Sequence, residues 1–180
     1  MSPRVPNIEN TDSRPSNLPT VHVRSAQSND TLDIAGIYNQ HIALGGSTFD
    51  TQPWTQELVS KLLGFGSPDA WFVAIESDRV IGWASVRRYS LRMGYRFTSE
   101  TAIYLDPTVT GRGVGHQLQD RVNSHCQESK IHHAVAKVIT DNERSMKFHL
   151  KAGYELVGIQ KEIGNMNGDW IDVAILQKLF

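Results

Sequence analysis

The residues best equipped for chemistry lie between Glu100 and Tyr154. A strand-like run, Glu100-Thr101-Ala102-Ile103-Tyr104-Leu105, is broken at Pro107. It is followed by Thr110-Gly111-Arg112-Gly113-Val114-Gly115, which opens a helical stretch through Leu118 and Val122. A glycine-rich turn feeding a helix start leaves several backbone N–H groups aimed at one point, which makes a seat for a phosphate. Glycine at 111, 113 and 115 lets a pyrophosphate approach the main chain, and Arg112 adds a charge-assisted contact. The loop is not a P-loop, because no Lys-Ser or Lys-Thr pair follows Gly115, and it lacks the G-x-G-x-x-G of a dinucleotide fold. Alone, it also reads as a plain tight turn.

Further along, Asn142 reads as a helix N-cap, and His149 follows it by seven residues. A histidine with a pKa near neutrality can donate a proton or orient a water; it can equally be a half-buried helix residue beside Phe148. Upstream, Arg87, Arg88, Arg92, Tyr95 and Arg96 suit bidentate capture of a carboxylate or phosphinate, or form a solvated surface. His125, Cys126, His132 and His133 fit no common zinc spacing, so no metal is expected.

These groups need a scaffold, and the apolar pattern supplies one. Val21 to Arg24 alternates as a first strand. Asp30 is placed to cap a helix with Leu32, Ile34, Ile37, Tyr38, Ile42 and Leu44 at helical spacing, ended by Gly45-Gly46. Trp54 to Leu63 is a second helix. Ala70–Ile75 and Val80–Val86 are strands around the polar turn Glu76 to Arg79, and Phe97–Leu105 is a third. Val114, Leu118, Val122 and Cys126 give the helix after the glycine loop one buried face. Ala134–Ile139 is a strand and Asn142–Lys151 a helix stopped by Gly153. Tyr154–Ile163 and Trp170–Leu179 pair around a turn at Asn165 to Asp169, and Trp54, Trp71, Trp83 and Trp170 are read as packing residues. The result is a mixed α/β (α+β) domain of about seven strands and about four helices.

Composition narrows the class. At 180 residues, with 39% hydrophobic and 21% charged, the chain fits one globular domain over 20–180. Residues 1–19, rich in Pro, Ser, Asn and Asp, are expected to form a mobile N-terminal tail. A net charge of -1 favours neither nucleic acid nor an anionic membrane. One cysteine excludes an intrachain disulfide framework, and no apolar run approaches a membrane span. A cytoplasmic location is the expectation.

Several stretches, in order, make the reading specific: Ile37-Tyr38-Asn39-Gln40-His41-Ile42, Ser47-Thr48-Phe49-Asp50, Val80-Ile81-Gly82-Trp83-Ala84-Ser85, Arg92-Met93-Gly94-Tyr95-Arg96-Phe97-Thr98-Ser99-Glu100 and Gly168-Asp169-Trp170-Ile171-Asp172-Val173. With the glycine loop and the later Asn–Ser–His–Gly–Tyr spacing, they resemble the GNAT acetyltransferase superfamily. Within it they are similar to the phosphinothricin and methionine sulfoximine acetyltransferases, from Val21 to Phe180.

The resemblance implies a mostly antiparallel central sheet and acetyl-CoA as co-substrate, without a metal. It implies direct transfer to the α-amino group of a small amino-acid analogue. Glu100 would be the general base, since an ammonium must lose a proton before attack, and His149 would assist departure of the CoA thiolate. Ile103, Tyr104, Leu105, Arg112, Gly113, Val114, Gly115, His116 and Asn142 would hold the cofactor, its pantetheine arm between two splayed strands, the one ending at Leu105 and the one beginning near Ala134. The Leu105 N–H would stabilise the oxyanion. Phe49, Arg92 and Tyr95 would line the acceptor site, and the family's homodimer would bring that site near the interface.

Departures from the family's pattern stand at Thr110, where Arg or Gln is usual, at Tyr89-Ser90 and at Gly94. The last two adjoin the acceptor stretch, so the acceptor stays open. A polyamine, an arylamine or a protein N-terminus is the rival within the chemistry. A non-catalytic acyl-CoA-binding module is the rival outside it.

Overall fold

The structure is a computed structural model describing residues 20–180; the expected tail over 1–19 lies outside these. The apolar runs become seven strands: β1 (His22–Ser25), β2 (Ala70–Glu76), β3 (Arg79–Arg88), β4 (Thr98–Leu105), β5 (His133–Ile139), β6 (Glu155–Met166) and β7 (Asp169–Leu179). Four helices join them: α1 (Thr31–Leu44), α2 (Gln56–Leu63), α3 (Val114–Glu128) and α4 (Glu143–Lys151). The strands form one sheet in the order β1-β2-β3-β4-β5-β7-β6. Every contact is antiparallel except β4–β5. That exception follows from the connection: a crossover through α3 is what parallel neighbours require. Two-residue turns close the hairpins at Ser77-Asp78 and Asn167-Gly168, all four residues having positive φ, as such turns demand.

Helices cover both faces. On one, α3 buries Val114, Leu118, Val122 and Cys126 against Phe72, Ala74, Ile81, Ala84 and Val86. Burying each Val or Leu of that stripe contributes roughly 1.5–3 kcal/mol, and Leu118→Ala is expected to cost about 2–5 kcal/mol. On the same face, α4 packs Met146 beside Ala136, Val138 and Tyr154. On the other face, α1 and α2 bring Ile34, Ile37, Tyr38 and Val59 onto Trp71, Val73 and Trp83. Trp54, Trp71 and Trp83 form one aromatic cluster with Tyr38 and Tyr104. Trp170 departs from the packing expectation: it is 65% exposed on β7.

Some boundaries differ from the sequence reading. Asp30 does not cap α1 through its side chain. It lies in a short 3-10 turn, where its carboxylate accepts from the Gln27 N–H and from Arg24, each at 2.7 Å. The guanidinium on β1 competes for it successfully. The second helix starts at Gln56 rather than Trp54, because Thr55 Oγ1 accepts the Leu58 N–H at 3.2 Å and fixes the cap there. β6 runs on to Met166, shortening the turn. No helix among the described residues is long and apolar enough to cross a membrane.

Candidate active site

The parallel contact between β4 and β5 is short. It pairs Thr98 with His133, Ser99 with Ala134 and Glu100 with Val135, and then ends, while β3 stays paired with β4 through Leu105. Beyond Glu100 the two strands part and leave one edge of β4 without a strand opposite. Main-chain polarity along β4 alternates. The Thr98 carbonyl accepts from Tyr89 and the Asp106 N–H donates to Ile81, so even-numbered residues face β3. Ile103 and Leu105 therefore turn their N–H and C=O groups into the gap, whereas those of Tyr104 face β3.

Glu100 sits at the fork. Its carboxylate accepts from Lys137 Nζ at 2.7 Å and lies 3.5 Å from Arg87 Nη2. Arg87 stands directly across from it on β3, and Lys137 is two residues beyond its β5 partner Val135, which puts all three on the face covered by α1 and α2. Sequence reading missed Lys137 and grouped Arg87 with the following loop. Strand alternation places a charge on a face, but only the register brings residues from three strands together.

At the wide end of the gap, the segment after α1 forms a strap. The Gly46 carbonyl accepts from Asn142 Nδ2 at 3.3 Å, and the Ser47 carbonyl accepts from the Tyr104 hydroxyl at 3.1 Å. Thr48 Oγ1 lies 2.6 Å from the Tyr38 hydroxyl, which donates to Asp50 at 2.8 Å. His41 Nε2 donates to the Leu105 carbonyl at 2.8 Å, with Ser47 Oγ 3.1 Å from Nδ1. The strap thus grips the chain at the residue whose N–H points into the gap. Burial raises the Tyr38 and Tyr104 phenol pKa values above their usual range, so both remain neutral hydrogen-bonding groups. Phe49 lays its ring on Gly164 of β6, in the space a Cβ would occupy there.

The glycine loop lies at the start of α3. Gly111 (φ +82°) and Gly113 (φ +80°) are in the left-handed region, which disfavours side chains. Gly113 is the N-cap, leaving the N–H groups of Val114 and Gly115 in the helix's first turn for a ligand. The His116 N–H already donates to the Gly113 carbonyl at 3.0 Å. Gly115 also serves helix packing: a Cβ there would meet Phe148 Cε2 of α4 at 3.3 Å. Arg112 is not turned toward the loop's amides; both of its terminal nitrogens bond the Glu76 carboxylate.

Just before the loop, buried Asp106 accepts from the Thr108 hydroxyl at 2.6 Å and its N–H at 2.9 Å, and pairs with Arg79 at 2.5 Å. The Thr108 hydroxyl bond, ahead of the other contacts, holds its carboxyl below the usual range. This anchor, absent from the sequence reading, fixes the turn between β4 and the glycine loop.

On α4, Asn142 does cap the helix, with Oδ1 accepting the Ser145 N–H at 3.0 Å. His149 is 7% exposed, edge-on to Phe148 and Tyr154. Its Nδ1 donates to the Ser145 carbonyl at 2.8 Å, so Nε2 carries the lone pair in the neutral ring. Burial pushes its pKa down, against the expectation of a value near neutrality; the bond to Ser145 opposes this only in part. Cys126 is buried with its thiol pushed up to about 11, unsuited to act as a nucleophile.

Arg92 and Tyr95 make no hydrogen bond or ion pair with Glu100, Arg87 or Lys137 among the described residues. Arg92 lines a surface groove with Pro68, Arg88, Leu91, Met93 and Arg96, and Tyr95 packs on Tyr89 with ring centroids 5.4 Å apart. Among the described residues no cluster suited to a metal occurs.

Comparison with known proteins agrees with this geometry. An acetyltransferase (GNAT) domain family matches residues 23–175. A phosphinothricin N-acetyltransferase of Alcaligenes faecalis is 29% identical over 161 residues, covering 87% of this chain and 81% of that protein. An L-methionine sulfoximine/L-methionine sulfone acetyltransferase of Pseudomonas aeruginosa is 27% identical over 167 residues, 86% and 92% of the two chains. The solved structure of a phosphinothricin acetyltransferase from Sinorhizobium meliloti with acetyl-CoA superposes with a TM-score of 0.84 at 28% identity, covering 89% of each chain. A family match over most of the chain, on a sheet that opens beside a glycine-started helix, makes this protein a member of the GNAT acetyltransferase family.

Proposed function

We propose that the enzyme transfers the acetyl group of acetyl-CoA directly to the α-amino group of a small amino-acid analogue of the methionine sulfoximine, methionine sulfone or phosphinothricin type. The observation carrying this reading is the position of Glu100 at the fork of β4 and β5, with its charged partners facing α1 and α2 while α3 and its amide-rich start lie on the other face. The names of the relatives support the acceptor class.

In this reading the pyrophosphate rests on the first amides of α3, and the pantetheine arm crosses the gap to present its thioester to the acceptor side. The Leu105 N–H donates to the thioester oxygen as it becomes an oxyanion; the His41 bond to the Leu105 carbonyl steadies that segment. Glu100 takes one proton from the ammonium, directly or through a water. The amine then attacks, a second proton leaves nitrogen, and the C–S bond breaks. His149 is neutral at rest, so it relays rather than initiates: Nε2 receives that second proton and passes it to the departing sulfur.

The test is free-thiol release from acetyl-CoA with methionine sulfoximine, methionine sulfone, phosphinothricin, ordinary amino acids, spermidine and an arylamine, for the wild type and Glu100→Gln. Turnover of the sulfoximine group, reduced about 10²–10⁴-fold in the variant, is expected. Turnover confined to spermidine or the arylamine refutes the acceptor. Full activity of Glu100→Gln refutes the base.

A further inference from the structure

The three charges at the fork are unequal in sign. Arg87 and Lys137 flank the single carboxylate of Glu100, leaving one net positive charge around the group that must receive an ammonium. Like charge disfavours the approach of a simple amine there. The mismatch disappears for an acceptor that brings an anion of its own, one carbon from its ammonium.

Both cations have donors to offer. Lys137 contacts Glu100 through one oxygen only, and the buried Arg87 Nε has no hydrogen-bond partner among the described residues. Their side chains are 47% and 40% exposed, so they reach solvent and can rearrange around a ligand. The nearest acid on the strap, Asp50, does not compete, because its Oδ2 already accepts from Tyr38 and Trp54. Resting on the acceptor class proposed above, we infer that Arg87 and Lys137 form the subsite for the α-carboxylate of an amino-acid acceptor. The ammonium takes Glu100, the carboxylate takes the two cations, and the charges then alternate across the fork. The same array rejects diamines and polyamines.

The experiment compares two acceptors that differ in this charge alone, methionine sulfone and its α-carboxamide. Lys137→Met and Arg87→Gln are each assayed for KM and kcat, with unfolding midpoints checking the fold. Loss of a charge-assisted contact is expected to raise KM for the sulfone about tenfold or more, with KM for the carboxamide and for acetyl-CoA within about threefold of the wild type. Lys137→Glu is expected to lower KM for a diamine such as putrescine.

Equal effects of Lys137→Met and Arg87→Gln on sulfone and carboxamide would mean that these residues only position Glu100, and would overturn the subsite while leaving the acceptor class intact. No effect on either acceptor overturns it as well. A wild-type enzyme that turns over no amino-acid acceptor overturns both readings together.

Discussion

Replacing Gly164 by alanine isolates what Phe49 does. Gly164 does not have a positive φ, so its backbone would accept any residue. Removing a glycine from a strand interior should by itself gain about 0.5–1 kcal/mol. What requires glycine is the Phe49 ring, whose Cδ1, Cε1 and Cζ occupy the site of the new methyl. The ring must swing away. Phe49 is 38% exposed, so roughly 120 Å² of a typical phenylalanine surface is at stake, worth at most about 3 kcal/mol. Gly164→Ala is therefore expected to lose about 2 kcal/mol net and to lower Tm by about 4–8 °C. With Phe49 already truncated to alanine, the same change should stabilise by about 0.5–1 kcal/mol. The double mutant then falls about 2–3 kcal/mol short of additive losses, a coupling well above the few tenths seen for independent sites. Urea unfolding of the four proteins measures it. If Phe49 also walls the acceptor pocket, Gly164→Ala raises KM for the acceptor and leaves that for acetyl-CoA alone. Additive losses, or a Gly164→Ala protein as stable as the wild type, would show that the Phe49 ring is not held in that space.

Other expectations follow from the same geometry. Gly113→Ala forces a side chain to φ +80°, which should cost about 1–2 kcal/mol and raise KM for acetyl-CoA while sparing the acceptor; an unchanged cofactor KM would count against the amide seat. Arg112→Ala should leave Tm nearly unchanged, since its ion pair with Glu76 is partly exposed. Its KM for acetyl-CoA should rise by less than about tenfold, and a hundredfold rise would return Arg112 to the phosphates. The folded-state pKa of His149 is depressed from 6.5, so below pH 6.5 the unfolded chain binds a proton that the folded one resists. Stability should be flat in this respect above 6.5 and decline as pH falls toward the lowered value, at up to about 1.4 kcal/mol per pH unit. His149→Gln removes that slope between pH 7 and pH 5; an identical slope in the variant would show that another group carries it.

The elements were legible because the fold spaces apolar residues regularly. The four-residue repeat of Val114, Leu118, Val122 and Cys126 dictates one buried helix face, and that face is buried. Left-handed glycines at 111 and 113 are likewise local chemistry, readable before any tertiary contact forms. What resisted reading depends on register and reach. Arg112 looked available for a phosphate because its partner Glu76 is 36 residues away in sequence. Gly115 looked like a backbone device alone, yet it is also small to admit the ring of Phe148, and Gly164, which nothing in the sequence singled out, is small to admit that of Phe49.

The same logic bears on Glu100. A glutamate on a strand is an ordinary surface residue until the neighbouring strand is known to leave at that residue. The five residue steps from Glu100 to Leu105 then span roughly 17 Å of open β4 edge, with the proposed base at one end and, at the other, an N–H facing the gap beside the His41-held carbonyl. In the proposed mechanism the reactive geometry is set by where pairing stops. A substitution that extended the β4–β5 ladder past Val135 would close the gap, and is expected to abolish turnover while raising stability.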